Sequence, residues 1–190
     1  MTVDHVFDLA ALLTDEEKEW QRRARDFAAR RIQPTIDEDF ENKHFRRELV
    51  AELGELGVLG MHIEGYGCVG AGAVSYGLVC AELEAVDSGW RTFVSVQGSL
   101  AMSAISKFGS EEQKQQWLPG MAAGELIGCF GLTEPQGGSD PASMTTEAVR
   151  DGDGWVINGA KRWIGGATVS DVVATFARDT ADGQVKCFLV

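Results

Sequence analysis

Residues 130–141 place groups that could bind a ligand close together in one loop. The run Phe-Gly-Leu-Thr-Glu-Pro-Gln-Gly-Gly-Ser-Asp-Pro follows an apolar stretch at residues 127–130 that predicts a β-strand. Glycine lets the backbone approach a ligand closely, and successive N–H groups in a loop can surround an anion. The pattern therefore predicts a loop that donates hydrogen bonds to an anionic or heteroaromatic ligand. A polar connection between two strands, with no ligand, is the alternative that these residue types leave open.

A second glycine-rich run, Gly-Tyr-Gly-Cys-Val-Gly at residues 65–70, matches the GxGxxG pattern of dinucleotide-binding sites. That site requires a strand before the glycines, a helix after them and a second strand that ends in an acidic residue. Glu84 and Asp87 lie at a suitable distance along the chain, but within or at the end of a predicted helix. The run is therefore interpreted as a glycine-rich connection between helices.

The elements that position these loops change type along the chain. Helices are predicted after two capping boxes, Thr14 to Glu17 and Ser110 to Gln113, and over residues 73–86 and 88–108. A further helix is expected to stop at Gly57. Because helices precede strands without alternating with them, the chain is expected to have an α+β fold with two domains. These are an all-helical domain at residues 1–124 and a partial antiparallel β domain at residues 125–190.

Short strand-like runs with turn residues between them define the second domain. Residues 149–155 predict a turn between two strands, and strands are also predicted at residues 172–176 and 187–190. Asn158-Gly159 suits both positive-φ positions of a type I′ turn, so a hairpin is predicted there as well. The last predicted strand ends on Val190, which favours a truncated chain.

Composition excludes several classes of function. The net charge of −12 argues against nucleic-acid binding, and the arginines at residues 22–31 lie among acidic neighbours, as on a solvated helix face. The four cysteines form no CxxC pair and match no zinc spacing, so we expect no metal site and a reducing compartment. No secretory signal, transit peptide or membrane-spanning run is seen. We expect a cytoplasmic protein, or a mitochondrial matrix protein if the source is eukaryotic.

Two motifs carry a resemblance to a known family. Gly-Leu-Thr-Glu-Pro-x-x-Gly-Ser-Asp at residues 131–140 and Asn-Gly-x-Lys-x-Trp-Ile at residues 158–164 resemble the acyl-CoA dehydrogenase family. The resemblance implies a truncated form of that fold, with FAD as the cofactor. The catalytic base of the family is a glutamate in a C-terminal helical domain, so no catalytic residue is assigned to this chain. Glu134 has no such role in the family.

The resemblance also implies the residues that contact FAD. Thr133 would hydrogen-bond the ring, and Ser139 would lie near the pyrophosphate and the CoA ester. From residue types alone, Trp163 would be a strand core residue. At position 165 the family often has threonine, whereas this chain has Gly165. The expected flavin-binding residues are Phe130, Leu132, Thr133, Gly138, Ser139, Trp163, Ile164 and Gly165.

Residues 82–97 resemble the glutaryl-CoA dehydrogenase subgroup, as do residues 65–68. In that subgroup the residue matching Arg91 pairs with the free carboxylate of the substrate. A fork of guanidinium donors suits a carboxylate, although Arg91 could instead pair structurally with Glu84 or Asp87. The expected substrate-binding residues are Glu84, Arg91, Thr92, Ser95 and Ser139.

The resemblance implies an activity for the full-length protein. The expected reaction is oxidative decarboxylation of glutaryl-CoA to crotonyl-CoA, with an electron-transfer flavoprotein as acceptor and a homo-oligomeric assembly. A short-chain acyl-CoA dehydrogenase or oxidase is the enzymatic alternative. A catalytically inactive, truncated binding module is the alternative from another class of function.

Overall fold

The computed structural model describes residues 9–190. The chain is helical to residue 122 apart from one short hairpin, and both predicted capping boxes are confirmed. Helix α1 begins after Thr14, whose hydroxyl accepts a bond from the Glu17 N–H at 3.2 Å, while the Thr14 N–H donates to the Glu17 carboxylate at 2.8 Å. Ser110 and Gln113 form the same pair of bonds before α7. Each box satisfies two N–H groups that the first helical turn leaves without intrahelical partners.

The helices follow the predicted order. Helix α3 stops at Gly57, which has a φ of 83°, as expected. The predicted helix at residues 88–108 is continuous but contains a central π-helical segment, and a second π-helical segment extends α1. The helices are α1 Asp15–Phe27, α2 Ile36–Asn42, α3 Glu48–Leu56, α4 Ala73–Glu84, α5 Ser88–Ser95, α6 Ser103–Phe108 and α7 Glu111–Ala122, with π segments at Ala28–Ile32 and Val96–Met102. No helix within residues 9–190 is long and apolar enough to cross a membrane.

The GxGxxG run is a short hairpin between helices. Strands β1 (Glu64–Gly65) and β2 (Cys68–Val69) pair antiparallel. The two turn residues, Tyr66 and Gly67, have φ values of 53° and 84°. The chain then enters α4 and continues into α5, with no strand between them in the described residues. The interpretation as a connection between helices is confirmed.

A five-stranded sheet forms the rest of the chain from residue 128. Its strands are β3 Gly128–Gly131, β4 Glu147–Asp151, β5 Gly154–Asn158, β6 Val172–Asp179 and β7 Val185–Leu189. Pairs β4–β5 and β6–β7 are antiparallel, whereas β3 and β4 both run parallel to β6. The α+β order is confirmed, but the expectation of an antiparallel sheet is corrected to a mixed one. The long connection after β3 returns the chain to the sheet in the same direction, so β3 and β4 can both run parallel to β6, whereas β5 runs in the opposite direction between β4 and β6 along the chain.

The hairpin predicted at Asn158-Gly159 is wrong. Strand β5 ends at Asn158, and the chain then crosses to β6 through a loop at residues 159–171. The hairpin lies instead between Asp151 and Gly154, in the turn predicted at residues 149–155. Gly159 serves packing, because a Cβ there would lie 2.3 Å from the Thr146 hydroxyl oxygen.

One hydrophobic cluster connects the helices to the sheet. It includes Ala24, Leu53, Val79 and Leu83 from the helices and continues to Ile127 and Val172 at the start of the sheet. These side chains are almost completely buried. Burial of apolar surface of this extent is the main stabilising contribution to folding, and it fixes the helices against the sheet where the candidate site lies.

Candidate functional site

Glu134 anchors the predicted ligand loop from inside the protein. Its side chain is 3% exposed. One carboxylate oxygen accepts bonds from the Lys161 ammonium at 2.8 Å and the Thr146 N–H at 2.9 Å, and the other accepts from the Thr145 N–H at 2.7 Å. Burial alone would raise the pKa of Glu134, but the Lys161 ammonium and the two backbone N–H groups outweigh it and hold the pKa well below its ordinary value. A carboxylate so firmly ionised and paired is a poor proton acceptor, which agrees with assigning Glu134 no catalytic role.

The same ion pair brings the two sequence motifs together. Lys161 also donates to the Leu132 carbonyl at 3.2 Å, and the Arg162 N–H donates to the Thr133 carbonyl at 2.8 Å. The loop after β3 and the loop after β5 therefore lie side by side. Six of the expected flavin-binding residues have backbone N–H groups that donate to no acceptor within residues 9–190: Thr133, Gly138, Ser139, Trp163, Ile164 and Gly165.

Trp163 is exposed and conformationally strained. It lies outside every strand and is 79% exposed, so the interpretation as a strand core residue, made from residue types alone, is wrong. Its φ of 63° is uncommon for a residue with a bulky side chain. The Arg162 guanidinium lies 4.5 Å from the centre of the indole ring and covers one side of it. Such strain persists only where surrounding contacts hold it, here the bonds from Lys161 and Arg162.

A cleft of about 400 Å³ lies between α5 and the loop after β5. It brings together Thr92 and Gly165, which were predicted to contact substrate and cofactor respectively. Glycine at position 165 is not required by the backbone, since a Cβ there would lie at an ordinary 3.7 Å from the Val96 side chain. The lining residues are Phe45, Ser88, Gly89, Thr92, Phe93, Val96, Ile127, Gly128, Gly165, Gly166, Thr168 and Val169.

Phe130 lies in a second groove, of about 570 Å³, between the π segment with α6 and the sheet. Its ring packs against Phe176 with centroids 4.8 Å apart. Leu100 and Phe108, which are 40% and 83% exposed, form the opposite wall. Two lysines, Lys107 and Lys186, also line the groove, so it combines aromatic and aliphatic side chains with cations.

Arg91 pairs with Glu84, which was one of the two structural partners considered for it. Only its Nε donates to that carboxylate, and within residues 9–190 its two terminal nitrogens, Nη1 and Nη2, have no acceptor. The Glu84 carboxylate raises the pKa of Arg91. Asp87, the other partner considered, instead accepts a bond from the Trp90 N–H at 2.7 Å and caps α5. The pairing uses Nε alone and therefore leaves the edge formed by Nη1 and Nη2 free for another carboxylate.

The expected substrate-binding residues do not share one cleft. Arg91 and Ser95 lie one turn apart on the side of α5 that faces α4, where Ser95 contacts Tyr76. Thr92 lines the cleft towards Gly165. Ser139 is exposed in the loop after β3, and its hydroxyl has no partner within residues 9–190. The structure thus gathers Glu84, Arg91 and Ser95 on one side of α5 and Thr92 with the cofactor loops on the other.

Sequence reasoning missed Gln97, which joins the helical part of the site to the sheet. It is fully buried in the second π segment. Its amide donates to the Met121 and Leu126 carbonyls at 3.1 and 2.8 Å, and its carbonyl accepts from the Gly128 N–H at 2.7 Å. A glutamine within an apolar helical stretch was the available signal, because a buried amide must find partners.

Arg47 makes a second connection that was missed. It donates to the Val169 carbonyl and to the Asp171 carboxylate, both at 2.6 Å, and Asp171 accepts from the Ile127 N–H at 2.8 Å. These bonds hold the end of the loop that carries Gly165 against α3. No local pattern at residue 47 indicated this contact, which spans more than half of the chain.

Models of two domains of one family match almost the whole chain. The N-terminal domain of acyl-CoA dehydrogenases matches residues 14–125, and the middle domain matches residues 129–190. The chain belongs to the acyl-CoA dehydrogenase family. The motifs at residues 131–140 and 158–164 thus have the family context that the resemblance implied.

Solved acyl-CoA dehydrogenases have the same fold. A glutaryl-CoA dehydrogenase from Mycobacterium smegmatis, in complex with FADH2, is 52% identical with a TM-score of 0.94, and the match covers 97% of this chain and 47% of that one. Butyryl-CoA dehydrogenase from Megasphaera elsdenii is 33% identical with a TM-score of 0.85, over 94% of this chain and 49% of that one. An acyl-CoA dehydrogenase from Bacillus anthracis that matches at 32% identity, with a TM-score of 0.86 over 94% of this chain and 31% of that one, is complexed with FAD.

Curated acyl-CoA dehydrogenases include short-chain enzymes. The short-chain specific acyl-CoA dehydrogenase of Clostridium acetobutylicum is 37% identical over 87% of this chain and 44% of its own length. The acyl-CoA dehydrogenase of Bacillus subtilis is 33% identical over 90% of this chain and 45% of its own length. The chain therefore spans less than half the length of these curated relatives.

Proposed function

We propose that the full-length protein is an FAD-dependent acyl-CoA dehydrogenase that acts on glutaryl-CoA, releasing CO2 and forming crotonyl-CoA. The observation that carries the glutaryl assignment is Arg91, whose terminal nitrogens have no partner within the described residues although its Nε is bound to Glu84. The 52% identity to a glutaryl-CoA dehydrogenase supports the same assignment. A guanidinium edge of this kind can bind a carboxylate through two parallel bonds.

The residues present fit a flavin. The two loops joined by Glu134 and Lys161 offer unpaired N–H groups and two hydroxyls, those of Thr133 and Ser139, on one surface. Gly138 lets this surface come close, since a Cβ there would already lie 3.2 Å from the Thr133 methyl group. The Trp163 indole and the Ile164 and Gly165 backbone would lie against the ring, with Phe130 and Leu132 at the strand end. When bound, FAD would accept the hydride from the β-carbon of the substrate.

The protein's own residues would position the acyl group. Thr92 would approach the acyl group from the cofactor side of α5, beside Gly165. Arg91 and Ser95, with Glu84 holding Arg91, would bind the far carboxylate, and Ser139 would lie near the CoA ester. At Gly165 only a backbone N–H is available where the family often has a threonine hydroxyl. We assign no catalytic base to residues 9–190, and the family base is expected from a C-terminal domain.

The full-length enzyme is expected to pass electrons to an electron-transfer flavoprotein and to form a homo-oligomer. A cytoplasmic location, or the mitochondrial matrix in a eukaryote, is part of the same proposal. The second candidate is a short-chain acyl-CoA dehydrogenase or oxidase, which the similarity to short-chain enzymes favours. A binding module without activity is the remaining alternative.

Turnover by the full-length protein tests the assignment. The purified protein should show flavin absorption bands and should reduce a dye acceptor with glutaryl-CoA. Arg91→Ala should lower kcat/KM for glutaryl-CoA by roughly 10- to 100-fold, because hydrogen bonds to a charged group contribute about 1.5–3 kcal/mol. Butyryl-CoA has no terminal carboxylate, so its kcat/KM should change little.

Arg22→Ala is the matched control, because Arg22 is an exposed α1 residue paired with Glu19 and Asp26. It should leave both substrates unaffected. Strong turnover of butyryl-CoA with none of glutaryl-CoA would rule out the glutaryl assignment and favour the short-chain enzyme. A protein with flavin bands and no turnover of any acyl-CoA would favour the inactive module.

A further inference from the structure

Tyr76 on α4 bonds to two serines of the continuous helix at residues 88–108. These are Ser95 at the end of α5 and Ser99 in the π segment. The Tyr76 hydroxyl donates to Ser95 at 3.0 Å, and it accepts a bond from the Ser99 hydroxyl at 2.9 Å. Tyr76 and both serines are partly buried. Burial raises the pKa of Tyr76, so its proton is retained at neutral pH and the hydroxyl remains a donor.

The direction of these bonds determines what Ser95 can do. A hydroxyl has one proton to donate and accepts through its oxygen. Because Ser95 accepts from Tyr76, its own proton is left for another group, and no acceptor for it lies within the described residues. The chain of donors from Ser99 through Tyr76 therefore leaves the Ser95 hydroxyl with a proton to donate.

Arg91 is one helical turn from Ser95 on the same side of α5. Residues four apart on a helix have Cβ atoms about 5–6 Å apart, so both side chains can reach one small ligand. The free edge of Arg91 and the free proton of Ser95 are all donors. Together they match the two oxygens of a carboxylate and offer nothing to a methyl group.

We propose that Tyr76 determines specificity as a positioning residue, because it orients Ser95 to donate to the terminal carboxylate that Arg91 binds. The proposal rests on the proposed glutaryl-CoA activity and adds residues to that site. Tyr76 acts through Ser95 and does not itself contact the acyl group. Ser99 donates to the Tyr76 oxygen and so helps to keep the Tyr76 proton directed at Ser95.

The test compares two substrates and the chain's two tyrosines in the full-length holoenzyme. Tyr76→Phe should raise KM for glutaryl-CoA by about 10-fold, the equivalent of one weakened hydrogen bond to a charged group, with KM for butyryl-CoA unchanged. Tyr66→Phe is the matched control, since the Tyr66 hydroxyl bonds to Glu111 on α7 at 2.9 Å. It should change neither KM.

A double substitution tests whether Tyr76 acts by orienting Ser95 or by stabilising the helices in some other way. Ser95→Ala should cause the same selective loss, and Tyr76→Phe combined with Ser95→Ala should be no worse than Ser95→Ala alone. Ser99→Ala, which leaves the Tyr76 ring in place, should give a smaller loss in the same direction. It provides a second measurement if Tyr76→Phe impairs folding.

Each other outcome overturns a defined part of the proposal. If Tyr76→Phe weakens both substrates equally, or neither, or adds fully to Ser95→Ala, Tyr76 does not orient Ser95 for the carboxylate. If the unmodified holoenzyme does not oxidise glutaryl-CoA, the proposed function fails and this inference fails with it. If the enzyme selects glutaryl-CoA through Arg91 but not through Tyr76, only this inference fails.

Discussion

Among single residues, Glu134 and Lys161 form the most deeply buried ion pair described above. Their side chains are 3% and 13% exposed, and their bonds bring the loop after β3 to the loop after β5. The Glu-Pro and Asn-Gly-x-Lys parts of the two motifs supply these residues. The structure shows that the loops carrying the two motifs lie side by side, which fits the predicted site, but the motifs gave no sign that a buried charge pair holds them together.

Glu134→Gln tests the contribution of this pair. The amide keeps the shape of the side chain but leaves the Lys161 ammonium without its counter-charge, so stability to urea should fall by about 3 kcal/mol. Glu52→Gln is the control, because Glu52 pairs with Arg31 at a site where the two side chains are 32% and 52% exposed. The control should cost less than about 1 kcal/mol. Equal losses in the two variants would contradict the importance given to burial.

The pKa of Glu134 adds a pH dependence to this comparison. Its folded pKa is lowered from an ordinary value of 4.5, so the stabilisation is fully present above that value and declines as the pH falls below it. The stability difference between the unmodified protein and Glu134→Gln should therefore shrink between pH 7 and pH 3. Urea unfolding at the two pH values measures it, and a constant difference would contradict the depressed pKa.

Among the secondary-structure elements, the sequence predicted helix boundaries correctly where they depend on contacts between residues close together in the chain. The capping boxes at Thr14 and Ser110 and the stop at Gly57 depend on bonds within one helical turn, so the sequence was sufficient. Asn158-Gly159 led to a wrong prediction of a hairpin. The glycine is needed there because the backbone packs against Thr146, and turn preferences contain no information about such packing. The exposed position of Trp163 was missed because an aromatic residue close after a strand-like run gave no sign that β5 had already ended at Asn158.

Close backbone packing between α3 and the segment after α7 supports a prediction for glycines. A Cβ on Gly54 would lie 2.3 Å from the Ala123 carbonyl oxygen, so Gly54→Ala should destabilise the protein by roughly 1–3 kcal/mol through overpacking. Gly77→Ala is the matched control in the exposed interior of α4, where nothing lies within 4 Å. It should stabilise by about 0.5–1 kcal/mol. Thermal unfolding of both variants checks the opposite signs, and losses in both would contradict this account.

In the whole molecule, the helical and sheet portions share one hydrophobic cluster from Ala24 to Val172. Gln97 and Arg47 add polar bonds across the same junction. The order of helices before strands was predictable from periodicity, whereas these long-range bonds were not, because their partners lie far apart in the chain. The division at residue 124 stays a prediction about domains.

This shared cluster predicts cooperative unfolding of the 190-residue chain. Loss of helix, followed by circular dichroism, should coincide in urea with the change in fluorescence of Trp155 and Trp163, measured with Trp20, Trp90 and Trp117 replaced by phenylalanine. Coincidence is expected because neither portion can open without exposing the cluster. Two separated transitions would show that the helices and the sheet fold independently.

The π-helical segment at Val96–Met102 has a geometric consequence for the helix that contains it. A π turn accommodates an extra residue, and one residue corresponds to about 100° of rotation around an α-helix axis. The segment therefore changes the rotational phase of α6 relative to α5. The residues of α6 thus lie on different sides of the helix from those that an uninterrupted α-helix continuing α5 would give them. Deleting a single residue from this segment would rotate the two halves out of phase, and only one of them could keep its present partners.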